Sequence, residues 1–255
     1  MITIKTPEEV KIMDKSGKIL ATVLAQVMEA AKPGVSEIEL DIMAEKLIRE
    51  MGGEPGFQKV PGYHNTICIS TNDVVVHGIP TEYILKKGDI VGVDCGVYLD
   101  GFHTDMSDSI IVGGEKEADP KNVLFLQTGK KALLKAIQQV KPGNHVGDIS
   151  QTIQSIVEGA GYSIVRNLVG HGVGRELHEE PEIPGFIRGS VAKTPLLRPG
   201  MTIAVEIIYN MGKKEVVYAG GSDEWTIKTK DGSLSGLFER TVLVTEKGHK
   251  VLTEC

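Results

Sequence analysis

Four acidic residues occupy runs of sequence that otherwise read as buried strand. Asp94 and Asp105 fall in residues 89–105, DIVGVDCGVYLDGFHTD; Glu206 follows the apolar run TIAV, and Glu239 precedes RTVLV. Apolar, β-branched runs of this kind belong to sheet interiors, where an unpaired carboxylate is strongly disfavoured. If the four share one place they cannot all ionise without cations. Two divalent ions bring the formal charge of four carboxylates to zero. Oxygen-rich donors with some imidazole suit Mn²⁺, Fe²⁺, Co²⁺ or Zn²⁺. Ions held about 3.5–4 Å apart can activate a water between them and polarise a carbonyl. The imidazole is expected from GHGVGRELHEEP, residues 170–181, where glycines leave His171 room for close approach and His178 follows seven positions on. His77, ending VVVHGIP before a turn, is a third candidate.

What must position these groups is written twice along the chain. Thr6-Pro7-Glu8-Glu9 is a capping box with proline at the first helical position, and apolar residues then recur at helical spacing until Lys32-Pro33-Gly34. A second capping box at Ser36–Glu39 opens a helix expected to run to about Gly52-Gly53. The later half repeats the plan, with a helix over Asn122–Val140 stopped by Lys141-Pro142-Gly143 and another over Ile149–Val157. Residues 87–94 align with 199–206, so that Asp94 and Glu206 each fall six positions after a turn glycine, ending an apolar strand. Residues from Asp105 likewise align with those from Glu239. The pattern predicts a pseudo-symmetric α+β fold in which Asp94 meets Glu206 near a local two-fold axis and Asp105 meets Glu239. Residues 181–199, rich in proline and glycine, read as a loop.

Bulk properties narrow the function classes. The chain has 255 residues, 41% hydrophobic and 24% charged, an ordinary globular composition. A net charge of −6 gives no electrostatic footprint for nucleic acid, and no apolar run suits a bilayer. The N-terminus enters a helix signal directly, so no targeting peptide is expected. Cys68, Cys95 and Cys255 form no disulfide framework or CxxC motif, which points to a reduced, cytoplasmic location.

The segments VVVHGIP, VGVDCGVYLDGFHTD, GHGVGRELHEEP, TIAVEI and DEWTIKTKDGSLSGLFERTVLVTEKG resemble type I methionine aminopeptidases, from about residue 3 to 253. The resemblance implies the pita-bread fold, a curved antiparallel sheet covered by helices, as a single catalytic domain over 1–255 with internal repeats at about 6–115 and 120–250. It implies two divalent ions (Co, Mn, Fe or Zn) held by Asp94, Asp105, His171, Glu206 and Glu239, with Asp105 and Glu239 bridging. Glu206 would also act as general base on the attacking water, and His178 would bond the scissile amide or the developing oxyanion. His77 would contact the amide nitrogen of the second residue. Tyr63, Cys68, Leu177 and Trp225 would line the methionine pocket. The substrates implied are N-termini of peptides and nascent proteins with a small second residue. The ribosome is a candidate partner, no membrane is involved, and the implied state is a monomer.

Several residues depart from the family pattern. Leu177 stands where phenylalanine is usual, and Leu237 and Arg240 flank Phe238-Glu239 where glutamine and histidine are usual. Arg240 is expected to bring a permanent charge beside a bridging carboxylate, and Leu237 to remove a polar support. Histidine at position 64 and valine at 76 also depart. The alternatives are an Xaa-Pro dipeptidase-like enzyme using the same ligands, or a non-catalytic binding module on the same fold, which the retained ligands disfavour. Glu179-Glu180 is expected to be a solvated loop face, and Asp100, His103 and Asp108 to be ordinary structural residues.

Overall fold

The computed structural model describes residues 2–254, so Cys255 lies outside the described residues. The helices are α1 (Pro7–Ala30), α2 (Glu37–Glu50), α3 (Pro120–Ile137) and α4 (Val146–Gly159). The strands before α3 are β1 (Glu54–Pro55), β2 (Ile67–Thr71), β3 (Val74–Val76), β4 (Ile90–Leu99) and β5 (Phe102–Ile111). After α4 come β6 (Ser163–Ile164), β7 (Gly170–Gly172), β8 (Glu179–Ile183), β9 (Thr202–Asn210), β10 (Val216–Gly220), β11 (Asp223–Thr229), β12 (Ser235–Val244) and β13 (His249–Val251). Among the described residues no helix is long and apolar enough to cross a membrane.

Both expected capping boxes form. The Thr6 hydroxyl accepts the Glu9 N–H while the Glu9 carboxylate accepts the Thr6 N–H, and Ser36 and Glu39 repeat the exchange. The third and fourth helices start earlier than expected, α3 behind an Asp119 cap and α4 where Asp148 accepts the His145 N–H. Gly34 and Gly143, the two stop glycines, both have positive φ, and so do the turn glycines Gly88 and Gly200.

The main sheet is antiparallel, with a central path β1-β4-β5-β12-β9-β7-β8, and β10-β11-β3 form a smaller sheet. Strand period 2 sends alternate residues to opposite faces. One face of the main sheet buries α1 and α2 against Ile67, Val91, Val93 and Val97. The same face buries α3 and α4 against Val205, Ile207, Phe238 and Val242. Both helix pairs therefore cover one side, and the intervening residues of the same strands, Asp94, Asp105, Glu206 and Glu239, face the other. This is the expected pita-bread arrangement.

Two strand readings need correction. Asp94 and Glu206 do not end their strands but sit in the middle of β4 and β9. Residues 181–199 are not all loop: Glu179–Ile183 is an edge strand, and Pro181 is tolerated because β8 pairs with β7 alone, through Gly170↔Ile183 and Gly172↔Glu179.

Candidate metal centre

Register brings the acids together. Cross-strand pairing aligns Cys68, Asp94, Ser107, Glu239 and Glu206 in one row across β2, β4, β5, β12 and β9. In the adjacent row Gly96 faces Asp105 and Ala204 pairs with both Thr241 and His171. The central strands β5 and β12 pair over only two positions, and Thr241 ties them further: its hydroxyl accepts the Asp105 N–H at 2.9 Å and donates to the Asp105 carbonyl at 2.8 Å. Asp105 and Glu239 thus lie on the central strand pair as expected. Asp94 and Glu206 do not meet at the axis. They flank it, one strand further out on each side, and converge only at the cavity.

Donor atoms of Asp105, His171 and Glu239 all lie within 4.8 Å of one another. His171 Nδ1 lies 2.8 Å from the Gly172 carbonyl, a contact that requires it to be the donor. Nε2 is then left as a bare lone pair, and it faces Asp105 Oδ2 at 3.8 Å and Glu239 Oε1 at 4.0 Å. Three acceptors pointing at one another at these distances repel unless something positive lies between them.

Other buried acids in this fold show what satisfaction looks like. Asp41 Oδ1 accepts the N–H groups of Thr66 and Ile67, and Glu37 accepts the hydroxyls of Thr71 and Thr81. Asp94 Oδ1 and Glu239 Oε1, by contrast, are buried with no hydrogen-bond partner. Burial raises the Asp105 carboxyl to about 7. Burial and the Asp105 charge raise Glu206 to about 8, and burial with neighbouring acids lifts Asp94 and Glu239 well above the carboxylate range. Burial holds His171 and His77 down to about 4, so both rings are neutral ligands or donors at pH 7. Orphaned anionic oxygens, a neutral imidazole lone pair and an oxygen-rich donor set fit divalent cations.

The glycines around His171 provide the close backbone approach expected of them. A Cβ on Gly170 would lie 2.5 Å from the Ala204 carbonyl oxygen, and one on Gly172 would lie 2.3 Å from that of Glu180. They admit neighbouring strands. Gly172→Ala should therefore push β7 off β8, shift His171, and weaken Mn²⁺ binding by about 10- to 100-fold in titration calorimetry. Unchanged affinity would disprove this account of the glycine.

The acids open into a cavity of about 160 Å³ that His77, His171 and His178 also line. His77 adopts φ 55°, a left-handed conformation uncommon outside glycine, at the end of β3. His178 stands at the exposed side of the cavity with its ring centroid 4.4 Å from that of His171. Phe57, Tyr63, Cys68 and Leu177 form a buried apolar wall, with Val60, Ile79 and Trp225 packed on it. The Tyr63 hydroxyl donates to the Ile67 carbonyl at 2.7 Å, and its ring meets Trp225 edge-on at 5.2 Å. Phe57, Val60, Leu168, Val169 and Ile208 also line the cavity and carried no sequence signal. The one available clue was Gly96, where an added Cβ would strike the Phe57 ring at 2.8 Å.

Strand alternation turns one departure, Arg240, away from the cavity, while Leu237 stays on the face of Glu239. Arg240, adjacent to Glu239, points to the helix side of the sheet. There it pairs with Asp108 at 2.7 Å and donates to the Ser107 and Glu239 carbonyls. Its guanidinium is turned away from the cavity, yet its charge still reaches Glu239 and opposes the rise that burial and the neighbouring acids impose there, and Asp108 is the structural residue it was expected to be. Leu237 sits in an apolar cluster with Val76 and Ile208, while its backbone N–H and carbonyl both bond the Ser109 hydroxyl. Glu179 overturns its expectation outright. Its carboxylate is buried against Lys5 at 2.6 Å, and only Glu180 is exposed.

Known proteins resemble this chain in sequence and fold. The methionine aminopeptidase 1 of Bacillus subtilis (strain 168) is 41% identical over 253 residues, 99% of each chain. The crystal structure of a methionine aminopeptidase from Thermotoga maritima superposes with TM-score 0.95 at 39% identity, covering 100% of both chains. A prolidase from Pyrococcus furiosus shares the fold at TM-score 0.79 and 25% identity, but this chain spans 65% of it. The model of metallopeptidase family M24 matches residues 11–246, a stretch that holds each of the converging acids and histidines, and the chain belongs to that family.

Proposed function

We propose that the protein hydrolyses the bond after an N-terminal methionine on peptides and newly made proteins, preferring a small second residue. The observation that carries this reading is one cavity in which a cation-type donor cluster adjoins an apolar, aromatic wall. A methionine thioether is soft and polarizable and suits such walls, here Phe57, Tyr63, Cys68, Leu177 and Trp225. Relatives 41% identical over nearly the whole chain carry the name methionine aminopeptidase, which supports the same substrate.

Asp94, Asp105, His171, Glu206 and Glu239 would hold two divalent ions drawn from Mn, Fe, Co and Zn. When bound, the ions supply Lewis acidity that polarises a carbonyl and acidifies water. Glu206 takes the proton from the attacking water as general base. His178, held below the ordinary histidine value by burial, donates its ring N–H to the carbonyl oxygen as charge develops there. His77 contacts the amide nitrogen of the second residue. Crowding between these two rings favours a small second residue. The chain would act as one catalytic unit of two related halves, as a cytoplasmic monomer meeting its substrates near the ribosome.

Metal-stripped protein given Mn²⁺, Co²⁺, Fe²⁺ or Zn²⁺ is expected to release free methionine from Met-Ala-Ser, and not without metal. Absence of release with every ion, or cleavage confined to Xaa-Pro peptides, would overturn the reading in favour of a prolidase-like activity.

A further inference from the structure

The loop that carries His178 is held from the other end of the chain. Glu179 follows His178 directly, and its Oε1 accepts the N–H groups of Arg175 at 2.8 Å and Glu176 at 3.3 Å. Its Oε2 meets the Lys5 ammonium at 2.6 Å and also accepts the Thr3 hydroxyl. The Lys5 and Glu179 side chains are only 3% and 8% exposed. Lys5 is itself fixed, since its backbone N–H donates to the Gly200 carbonyl at 2.8 Å. The loop closes over the lysine so tightly that a Cβ on Gly174 would lie 2.4 Å from Lys5 Cε. A second tie joins Arg175 to Glu9 at 2.7 Å on the first turn of α1.

A buried ion pair between residues this far apart is a costly way to stabilise a loop, because both charges must be desolvated. What it provides is a fixed position for whatever the loop presents, and the loop presents His178 to the cavity. We propose that Lys5 is a positioning residue for His178, setting through Glu179 the place from which the imidazole meets the substrate carbonyl. This rests on the role given to His178 above.

The test is a double-mutant cycle on methionine release from Met-Ala-Ser with Mn²⁺. Lys5→Met should lower kcat about tenfold, because a small displacement of a group that acts on the transition state is expensive. KM and the Mn²⁺ dissociation constant should stay within about twofold. Adding Glu179→Gln should recover part of the rate, since the amide oxygen still accepts the two loop N–H groups and no charge is stranded. In a His178→Ala background Lys5→Met should cost less than about twofold, the two changes acting through one group. Lys5→Arg, which keeps the charge but changes its reach, serves in the same cycle if Lys5→Met does not fold. A full additive loss in the His178→Ala background, or a Lys5 variant at wild-type kcat, would overturn the inference. His178→Ala at wild-type rate would instead remove the role of His178 itself.

Discussion

Glu206→Gln is expected to lower kcat for methionine release by about 10²- to 10⁴-fold, the range that a positioned general base contributes. Glutamine keeps the size and can still accept hydrogen bonds, but it cannot take a proton from water at neutral pH. The substitution also removes one of four converging acids. Burial and the neighbouring Asp105 charge hold the Glu206 carboxyl at about 8, and Glu206 in turn raises Asp94 and Glu239. The metal-free variant should consequently melt no lower than the wild type at pH 8, and its remaining acids should ionise more easily. Loss of turnover with undiminished thermal stability separates a chemical role from a structural one. Retention of kcat within tenfold would move the base elsewhere, and a large drop in melting temperature would mean that Glu206 is part of the scaffold.

The sequence exposed what is local or repeated. Capping boxes at Thr6 and Ser36 are exchanges between residues three apart, and both formed as read. The repeated turn glycines and the acids six positions after them placed four carboxylates on related strands before any strand order was known. Sequence neighbours misled wherever period 2 was ignored. Arg240 beside Glu239 looks like a side chain in the site, yet successive strand residues face opposite sides; it pairs with Asp108 on the helix side, and only its field reaches Glu239. Alternation sets the face but not the lateral place of Asp94 and Glu206: they flank the centre because of strand order, with β5 and β12 between them. Sequence spacing within each repeat carries no information about that order.

Other features could not be read locally at all. The apolar wall joins Phe57, Tyr63 and Cys68 from one stretch to Leu177 in the other half of the chain, and each residue alone is an ordinary core residue. Glu179 beside the exposed Glu180 has the look of a solvated pair, and its partner Lys5 lies at the far end of the sequence. Buried ion pairs of this type have no signature in spacing, because only the tertiary fold supplies both the burial and the counter-charge.

Without metal, the protein should become less stable as pH rises from about 6 to about 8.5, the reverse of the usual behaviour of carboxylates. Asp105 and Glu206, at about 7 and about 8, keep their protons in the folded state well above the values they would have in an unfolded chain. The folded state thus binds more protons than the unfolded one between those limits. That contribution is complete at low pH and is lost as pH rises through the folded values, when the acids must ionise against one another. Each net proton is worth about 1.4 kcal/mol per pH unit, and about 1 kcal/mol shifts melting by roughly 2–4 °C at this chain length. Below about pH 6 the fall is offset, because His77 and His171, held to about 4, resist protons that the unfolded chain accepts while the acids still hold theirs only in the folded chain. Divalent ions should abolish the alkaline fall. They replace the protons, bind more tightly as pH rises, and stabilise in proportion to the logarithm of their concentration over the dissociation constant. Melting curves from pH 5 to 9, with chelator and with excess Mn²⁺, should therefore diverge steadily above pH 6.5. Parallel curves would mean that the four acids are not competing for the same cations and protons, and the metal centre would have to be assigned to other residues.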